Sequence, residues 1–193
     1  VKHGAGYEFN CEVEGGSFAD GLWTLATKKG EFKAKLVINC AGINGDTVED
    51  ICHPSHFVIK PRKGQFLIYH KPAAAQINAI ILPVPTAITK GVLLTKTIFG
   101  NLLLGPTAEE QEDKWHAEVK DEVLKDLIAQ GSRMLPSLHD YTVTATYAGL
   151  RPATEEKHYR IADYPAKRWS CVGGIRSTGL TSALGVAEHI ASP

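Results

Sequence analysis

Short apolar runs, interrupted every few residues by glycine, proline or charged side chains, recur along the whole 193-residue chain. Runs of this length suit β-strands, in which alternate side chains face the core. None approaches the roughly 18 consecutive apolar residues that a membrane-spanning helix requires. The 21 basic and 21 acidic residues leave a formal net charge of zero, which gives no electrostatic sign of nucleic acid binding. The sequence therefore predicts no nucleic acid partner and no membrane-spanning segment, and together with the helices described below it predicts an α+β fold.

The N-terminal part of the chain carries three stretches that favour strands. Tyr7–Val13 and Phe32–Cys40 place apolar side chains at every second position, and Leu22–Thr27 forms the stretch between them. A glycine within Lys28–Glu31 can supply the positive φ of a hairpin turn. Because Leu36–Cys40 is almost continuously apolar, this strand is predicted to be covered on both faces.

A domain boundary is predicted near His53, and beyond it the pattern indicates an antiparallel sheet and a helix. The helix is predicted over 108–130, because Thr107 and Glu110 match a capping box and Gly131 stands where a C-terminal cap is expected. The further predicted strands are Phe57–Ile59, Gln65–Tyr69, Ala79–Val84, Gly91–Thr97, Asn101–Gly105, Tyr141–Tyr147, Tyr159–Ala162 and Trp169–Val172, and a last helix of small residues is predicted over Leu180–Ala191.

The stretch Gly173–Thr181 is the most informative for chemistry. An apolar strand ends in glycines there, and a helix opens with serine and threonine. The free N–H groups at the start of such a helix attract anions, and glycines let a flat ring or a phosphate approach the backbone. The alternative is an ordinary strand, loop and helix in which Ser or Thr serves only as a cap.

Arg151 and Arg176 each follow the apolar end of a predicted strand. A guanidinium group binds carboxylate or phosphate with two parallel hydrogen bonds, so the two side chains are candidates for an anion clamp. The alternative is that each is a surface charge. His53 and His56 are candidates for a general base or for a solvated loop, and no histidine spacing indicates a metal site.

The four cysteines show no paired spacing that would indicate a disulfide or a zinc site. We therefore expect small buried thiols in a reducing compartment, which predicts a cytoplasmic protein. The chain begins at Val1, with no initiator methionine and no apolar leader. This favours a chain that starts within a longer protein.

Several segments, in their order along the chain, resemble one enzyme family. Leu36–Gly42 is similar to the last flavin-domain strand of FAD-dependent oxidoreductases of the D-amino-acid oxidase type. Pro61–Gln65 resembles the strand that enters their substrate domain. Further segments resemble the branch that includes glycerol-3-phosphate dehydrogenase and 2-hydroxyglutarate oxidase, namely Leu82–Thr86, Gly91–Thr97, Gly100–Ala108, Gly149–Ala153 and Gly174–Ser182.

The resemblance implies an FAD domain interleaved with a substrate domain built on an antiparallel sheet. Residues 1–52 would be part of the FAD domain, 53–172 the substrate domain, and 173–193 a flavin-contacting loop with the closing helix. The glycine fingerprint G-x-G-x-x-G of this family does not occur in the chain. Since that fingerprint holds the pyrophosphate, the chain is expected to be an inactive fragment that does not retain FAD by itself.

The resemblance also implies hydride transfer from a small anionic hydroxy substrate, glycerol 3-phosphate or a 2-hydroxy acid, to the flavin. Arg151 and Arg176 would bind the anionic group of the substrate, and no catalytic base is assigned. The residues implied to contact the flavin are Ala41, Gly42, Gly173, Gly174, Gly179, Leu180 and Thr181. An amine or amino-acid oxidase and a stand-alone anion-binding module without redox activity stay open as alternatives. Exposed strands are expected to favour self-association.

Overall fold

The computed structural model describes residues 3–85 and 91–191. Strands and helices mix along this part of the chain, which confirms the α+β prediction. Thr86, the last residue of the segment Leu82–Thr86, lies outside the described residues. The elements in chain order are β1 (Val13–Ala19), β2 (Leu22–Thr27), β3 (Gly30–Ala34), β4 (Val37–Asn39), α1 (Gly45–Glu49), β5 (Lys60–Tyr69), α2 (Lys71–Ala74), β6 (Leu93–Lys96), β7 (Leu102–Gly105), β8 (Glu109–Glu110), α3 (Asp121–Met134), β9 (Val143–Ala153), β10 (Arg160–Tyr164), β11 (Trp169–Gly173) and α4 (Gly179–Ala191).

The chain divides into two compact units. Unit 1 comprises Val1–Ile59 and Pro152–Pro193, and unit 2 comprises Lys60–Arg151. These divisions differ from the boundaries predicted at residues 53 and 173. The difference arises because β11 pairs with β4 and with β10 in one sheet, so that the segment before residue 173 joins the N-terminal strands.

Unit 1 contains two three-stranded sheets. The first has the antiparallel order β1-β2-β3, and the second has the order β10-β11-β4, in which β11 runs parallel to β4. The indole rings of Trp23 and Trp169, only 2% and 1% exposed, lie with their centroids 4.9 Å apart. Apolar burial of two such large rings anchors the core of this unit.

The predicted strand Leu22–Thr27 is confirmed residue for residue by β2. The predicted strand Tyr7–Val13 is wrong, because β1 begins at Val13 and continues through Gly15 and Gly16 to Ala19. The six residues of β2 pair within Val13–Ala19 and leave no partner positions for residues 7–12. The rings of Tyr7 and Phe9 are accordingly 68% and 72% exposed. Phe32–Cys40 is likewise two strands, since β3 and β4 belong to different sheets.

Unit 2 is a five-stranded sheet in which β6-β7-β5-β8 are neighbours and β9 also pairs with β5. The helix α3 packs against this sheet. The core of unit 2 includes Leu67, Leu104, Leu127 and Leu138, none of which is more than 1% exposed. The predicted strand Ala79–Val84 is reduced to a single bridge between Ile81 and Leu94.

The helix predicted over 108–130 is wrong in its first half, since α3 begins at Asp121. Thr107 does not cap a helix: its hydroxyl donates to the Glu109 carboxylate, and Glu109 belongs to the short strand β8. Glu109 and Glu110 are therefore paired with β5, and the Glu109 carboxylate contacts Lys63 and Gln65 of that strand. Gly131 lies inside α3, where an added Cβ would be 2.6 Å from Leu104.

Several apolar side chains of unit 1 are open to solvent. Leu36 and Ile38 beside and within β4 are 52% and 46% exposed, and Leu180 and Leu184 of α4 are still more exposed. The sequence predicted cover on both faces of this strand, and self-association through it stays a prediction. Among the described residues, no helix is both long enough and apolar enough to cross a membrane.

Gly105, the last residue of β7, provides a test of the packing in unit 2. Its φ of +142° is unfavourable for residues with a side chain, and an added Cβ would lie 2.8 Å from the backbone oxygen of Gln65. We expect Gly105→Ala to lower the free energy of unfolding by about 2–3 kcal/mol.

Urea denaturation followed by circular dichroism measures this loss. The matched control is Gly149→Ala in β9, where an added Cβ has no atom within 4 Å, so that the change should stay within about 0.5 kcal/mol. Equal stability of the two variants would contradict the packing described for β7.

Candidate functional site

A cavity of about 630 Å³ lies in unit 1, beside β4, β11 and α4. Gly42 and Gly174, just beyond the ends of the two parallel strands, line it, as does Gly179 at the start of α4. Ligands of open α/β sheets commonly bind at the carboxyl ends of parallel strands. The remaining lining is mostly apolar, and α4 contributes both the small Ala183 and Ala187 and the larger Val186 and Ile190.

Four of the seven predicted cofactor-binding residues line this cavity, namely Gly42, Gly173, Gly174 and Gly179. The other three, Ala41, Leu180 and Thr181, do not belong to its lining. The apolar residues that α4 contributes to the lining were not predicted from the sequence as part of a site. The small residues of the predicted C-terminal helix are the sequence signal that could have indicated them.

The glycines at the cavity are required for different reasons. Gly42 and Gly174 have φ values of +59° and +68°, in the left-handed region that favours glycine. Gly173 is instead required by its neighbour, because an added Cβ would lie 2.6 Å from the Phe57 ring. Next to Gly42 an added Cβ would meet nothing within 4 Å, so space beside the backbone is open there.

Arg176 fastens the turn after β11 to the segment that follows β9. Its Nη2 donates hydrogen bonds to the backbone carbonyls of Thr154 and Glu156, at 2.7 and 2.9 Å. Its Nε is buried and has no hydrogen-bond partner in the described part of the chain. The guanidinium is therefore partly engaged by backbone carbonyls, and it keeps one buried donor without an acceptor among the residues that the structure describes.

Arg151 is held in unit 2 by three backbone carbonyls. Its Nη1 lies 3.3 Å from the Arg62 oxygen and 3.5 Å from the Lys63 oxygen, and its Nη2 lies 3.2 Å from the Thr107 oxygen. Burial, and after it the neighbouring Arg62 charge, lower the pKa of the Arg151 guanidinium. Arg151 and Arg176 belong to different units, so their convergence on one substrate stays a prediction.

A polar network on β5 lies next to the carbonyls that hold Arg151. The amide of Gln65, which has no exposed surface, donates from Nε2 to Glu109 at 2.6 Å and accepts at Oε1 from the Lys120 N–H at 2.7 Å. The Lys63 ammonium lies 3.4 Å from the Glu109 carboxylate. Thr107 joins the network to Arg151, since its hydroxyl contacts Glu109 and its carbonyl accepts from the guanidinium.

The cysteines follow the sequence expectation in part. Cys52 and Cys171 are buried, Cys11 is half-buried and Cys40 is exposed, and all four are free thiols. Burial and then the Glu49 carboxylate raise the pKa of the Cys171 thiol, which keeps this side chain protonated and unreactive.

The Glu109 carboxylate should contribute to stability only when it is charged. Burial alone would raise its pKa, but hydrogen bonds from Gln65 and Thr107 and the charge of Lys63 outweigh burial and lower the pKa below 4.5. A lowered folded-state pKa stabilises the fold above the unfolded-state value, and this stabilisation disappears as the pH falls through the folded-state value.

We therefore expect Glu109→Gln to lower the urea midpoint at pH 7, with the difference from the wild type shrinking below about pH 4.5. Urea midpoints measured from pH 7 to pH 3 test this, and the matched control is Glu110→Gln at the exposed neighbouring position of β8. A difference that does not change with pH would contradict the ionic contribution.

Comparisons with known proteins identify relatives of this chain. A family model described as FAD dependent oxidoreductase, DAO, matches residues 1–192. The glycerol 3-phosphate dehydrogenase of Caloramator mitchellensis is 31% identical over 191 residues, which are 98% of this chain and 40% of that protein. The glycerol 3-phosphate oxidase of Mycoplasma pneumoniae is 31% identical in an alignment of 175 positions, which covers 87% of this chain and 44% of that protein.

A solved structure agrees with the sequence relatives. The L-alpha-glycerophosphate oxidase of Mycoplasma pneumoniae, determined in its dithionite-reduced form with FAD bound, has a TM-score of 0.80 and 27% identity to this chain. The match covers 92% of this chain and 48% of that one. The chain thus spans less than half the length of each of these three proteins.

Proposed function

The chain belongs to the DAO family of FAD-dependent oxidoreductases, and from that premise we propose that the protein oxidises a small anionic hydroxy compound by hydride transfer to FAD. Glycerol 3-phosphate is the substrate we propose first, with 2-hydroxy acids as the neighbouring class. The observation that carries the proposal is the 31% identity along 98% of the chain to a glycerol 3-phosphate dehydrogenase. Because the chain spans 40% of that relative, the proposal concerns the whole protein.

The cavity of unit 1 suits a flat, largely apolar ring. Its backbone is exposed at Gly42, where an added Cβ would meet no atom within 4 Å, and its α4 side is lined by Ala183 and Ala187. Gly174 and Gly179 would contact the same ring, while Ala41, Leu180 and Thr181 are proposed as contacts outside the apolar lining. FAD, when bound, supplies the acceptor for the two electrons that leave the substrate carbon as it becomes a carbonyl.

Arg151 is proposed to bind the anionic group of the substrate. The Arg62 guanidinium acts electrostatically on it, and Nε of Arg62 is buried without a hydrogen-bond partner in the described residues. The structure pairs no carboxylate with Arg151 in the part of the chain that it describes. Two neighbouring cations repel each other unless an anion binds near them, and a phosphate or carboxylate accepts bidentate hydrogen bonds from guanidinium. Arg176 is proposed for the same anion.

The four free thiols support a proposed reducing, cytoplasmic location. The small anionic substrate is the proposed partner of the site, and no side chain is assigned as the base that accepts the substrate hydroxyl proton.

Filling the cavity tests whether it holds the flavin. We expect Ala187→Trp in the whole protein to weaken FAD binding at least tenfold, because Ala187 lines the cavity and an indole would occupy the ring's place. His189→Trp, on the same helix but outside the lining, should bind FAD normally. Flavin absorbance retained after desalting measures the difference. Equal retention by the two variants would exclude this cavity, and absence of flavin from the wild type would favour a binding module without redox activity.

A lysine in place of Arg151 tests the substrate clamp. Arg151→Lys keeps the charge but loses the bidentate geometry, so KM for glycerol 3-phosphate should rise at least tenfold, equivalent to about 1.4 kcal/mol. Arg176→Lys should act in the same direction. Arg133→Lys, on the exposed side of α3, is the matched control.

Steady-state kinetics of the whole protein provide the measurement, with melting temperatures to separate lost binding from lost folding. An unchanged KM in Arg151→Lys removes this residue from the substrate site.

A further inference from the structure

A second group of chemically active side chains lies in unit 1, outside the cavity lining. Glu49 ends α1, and His53 and His56 follow it in the segment that leads to β5. One ligand atom from each of the three residues lies within 4.8 Å of the others. We propose that these side chains bind a divalent transition-metal ion of the zinc class, independently of the function proposed above.

The Glu49 carboxylate is fixed in position by its hydrogen bonds. Its side chain has no exposed surface, and Oε2 accepts from Asn39 Nδ2 and from Trp169 Nε1, each at 2.9 Å. The other oxygen, Oε1, lies 3.0 Å from Nε2 of His53. A buried carboxylate is stable only when a cation or further donors balance its charge. One oxygen is thus satisfied by protein donors, and the second faces the histidine ring.

The backbone determines which nitrogen of His53 faces the carboxylate with a lone pair. Nδ1 lies 2.8 Å from the carbonyl oxygen of Pro54, and because a carbonyl only accepts, Nδ1 must carry a hydrogen. In the neutral ring Nε2 then has a lone pair and stands 3.0 Å from Glu49 Oε1. Two acceptors at this separation need a cation between or beside them. A carbonyl hydrogen bond at the far ring nitrogen is the usual support of a metal-binding histidine.

His56 completes the group from the solvent side. Its ring is exposed, and its Nδ1 lies 3.1 Å from the hydroxyl of Tyr164, which orients the ring. The Tyr164 ring also packs against His53, with the centroids 4.0 Å apart. The group therefore runs from the buried Glu49 carboxylate to a histidine at the surface, from which an ion would approach.

The ligand types select the metal. Two imidazole nitrogens and one carboxylate suit Zn²⁺ and related first-row ions, whereas Mg²⁺ and Ca²⁺ prefer oxygen ligands alone. Tetrahedral Zn²⁺ with bonds of about 2.0–2.2 Å separates neighbouring ligand atoms by about 3.4 Å. The 3.0 Å between Glu49 Oε1 and His53 Nε2 needs only a small adjustment to reach this value. The fourth ligand would be a water molecule.

The competing explanation is a proton in place of the metal. A protonated His53 would balance the Glu49 charge as an ordinary ion pair, and Lys167, whose Nζ donates to the Cys52 carbonyl at 2.6 Å, would add positive charge nearby. In that case His56 does not help to neutralise the Glu49 charge, and Zn²⁺ has no specific binding site. The two explanations therefore differ in the effect of removing His56.

The experiment is a calorimetric titration of Zn²⁺ alone into the untagged, metal-stripped chain at pH 7. We expect one Zn²⁺ per chain, and binding at least tenfold weaker in His56→Ala, which changes an exposed side chain and should fold. His139→Ala removes an exposed histidine of unit 2 paired with Asp140 and should bind Zn²⁺ as the wild type does. No saturable uptake, or equal affinity in His56→Ala and the wild type, overturns the proposal.

A measurement of stability gives an independent readout. A ligand that binds only the folded state raises the melting temperature, so Zn²⁺ should raise it in the wild type and EDTA should reverse the change. His56→Ala should lose most of this increase. An equal increase in His56→Ala would indicate zinc at other sites and contradict the assignment.

Discussion

The Glu49 carboxylate, which has no contact with solvent, holds together the part of unit 1 on which the cavity depends. Its hydrogen bonds connect α1 with Asn39 of β4 and Trp169 of β11. Both N–H groups of Asn39 are used, because Nδ2 also donates to the Gly45 carbonyl, and its Oδ1 accepts from the Ala41 N–H. A buried charge that lost these partners would be strongly destabilising. The parallel pairing of β4 with β11, and the backbone at Ala41 beside the cavity, therefore depend on one glutamate.

Close packing around Phe57 determines the neighbouring structure of unit 1, at the end of β11. The Phe57 ring is 2% exposed and lies where a side chain at Gly173 would have to be. Asp46 in α1 accepts a hydrogen bond from the Ile59 N–H at 2.8 Å, which fixes the chain just after Phe57. The end of β11, which lines the cavity, is thus held in position by the ring that packs against it. A cofactor contacting this backbone would meet a surface that the fold has already made rigid.

The predictions were correct where the local sequence pattern by itself determines the structure. The strand Leu22–Thr27 and the small-residue helix α4 depend on alternation and composition, and four of the predicted cofactor-binding glycines line one cavity. The first half of the helix predicted over 108–130 is wrong because Glu109 is engaged by Lys63 and Gln65 of β5, which no local pattern reveals. Glu49 was missed for the same reason, since its partner Trp169 is 120 positions away. The carbonyl contacts of Arg151 with Arg62 and Lys63 likewise join distant parts of the chain.

Unit 1 is assembled from two separated stretches of chain, and unit 2 is inserted between them. Closing a flexible loop of roughly 90 residues has an entropic cost of about 4 kcal/mol plus a constant. The insert can remove most of that cost by folding first, because β9 pairs with β5 and Arg151 near its end lies 3.3 Å from the carbonyl of Arg62 near its start. During synthesis, unit 2 is complete before β11 leaves the ribosome. The topology therefore favours an order of folding in which the inserted unit forms early and the parallel strand pair closes last.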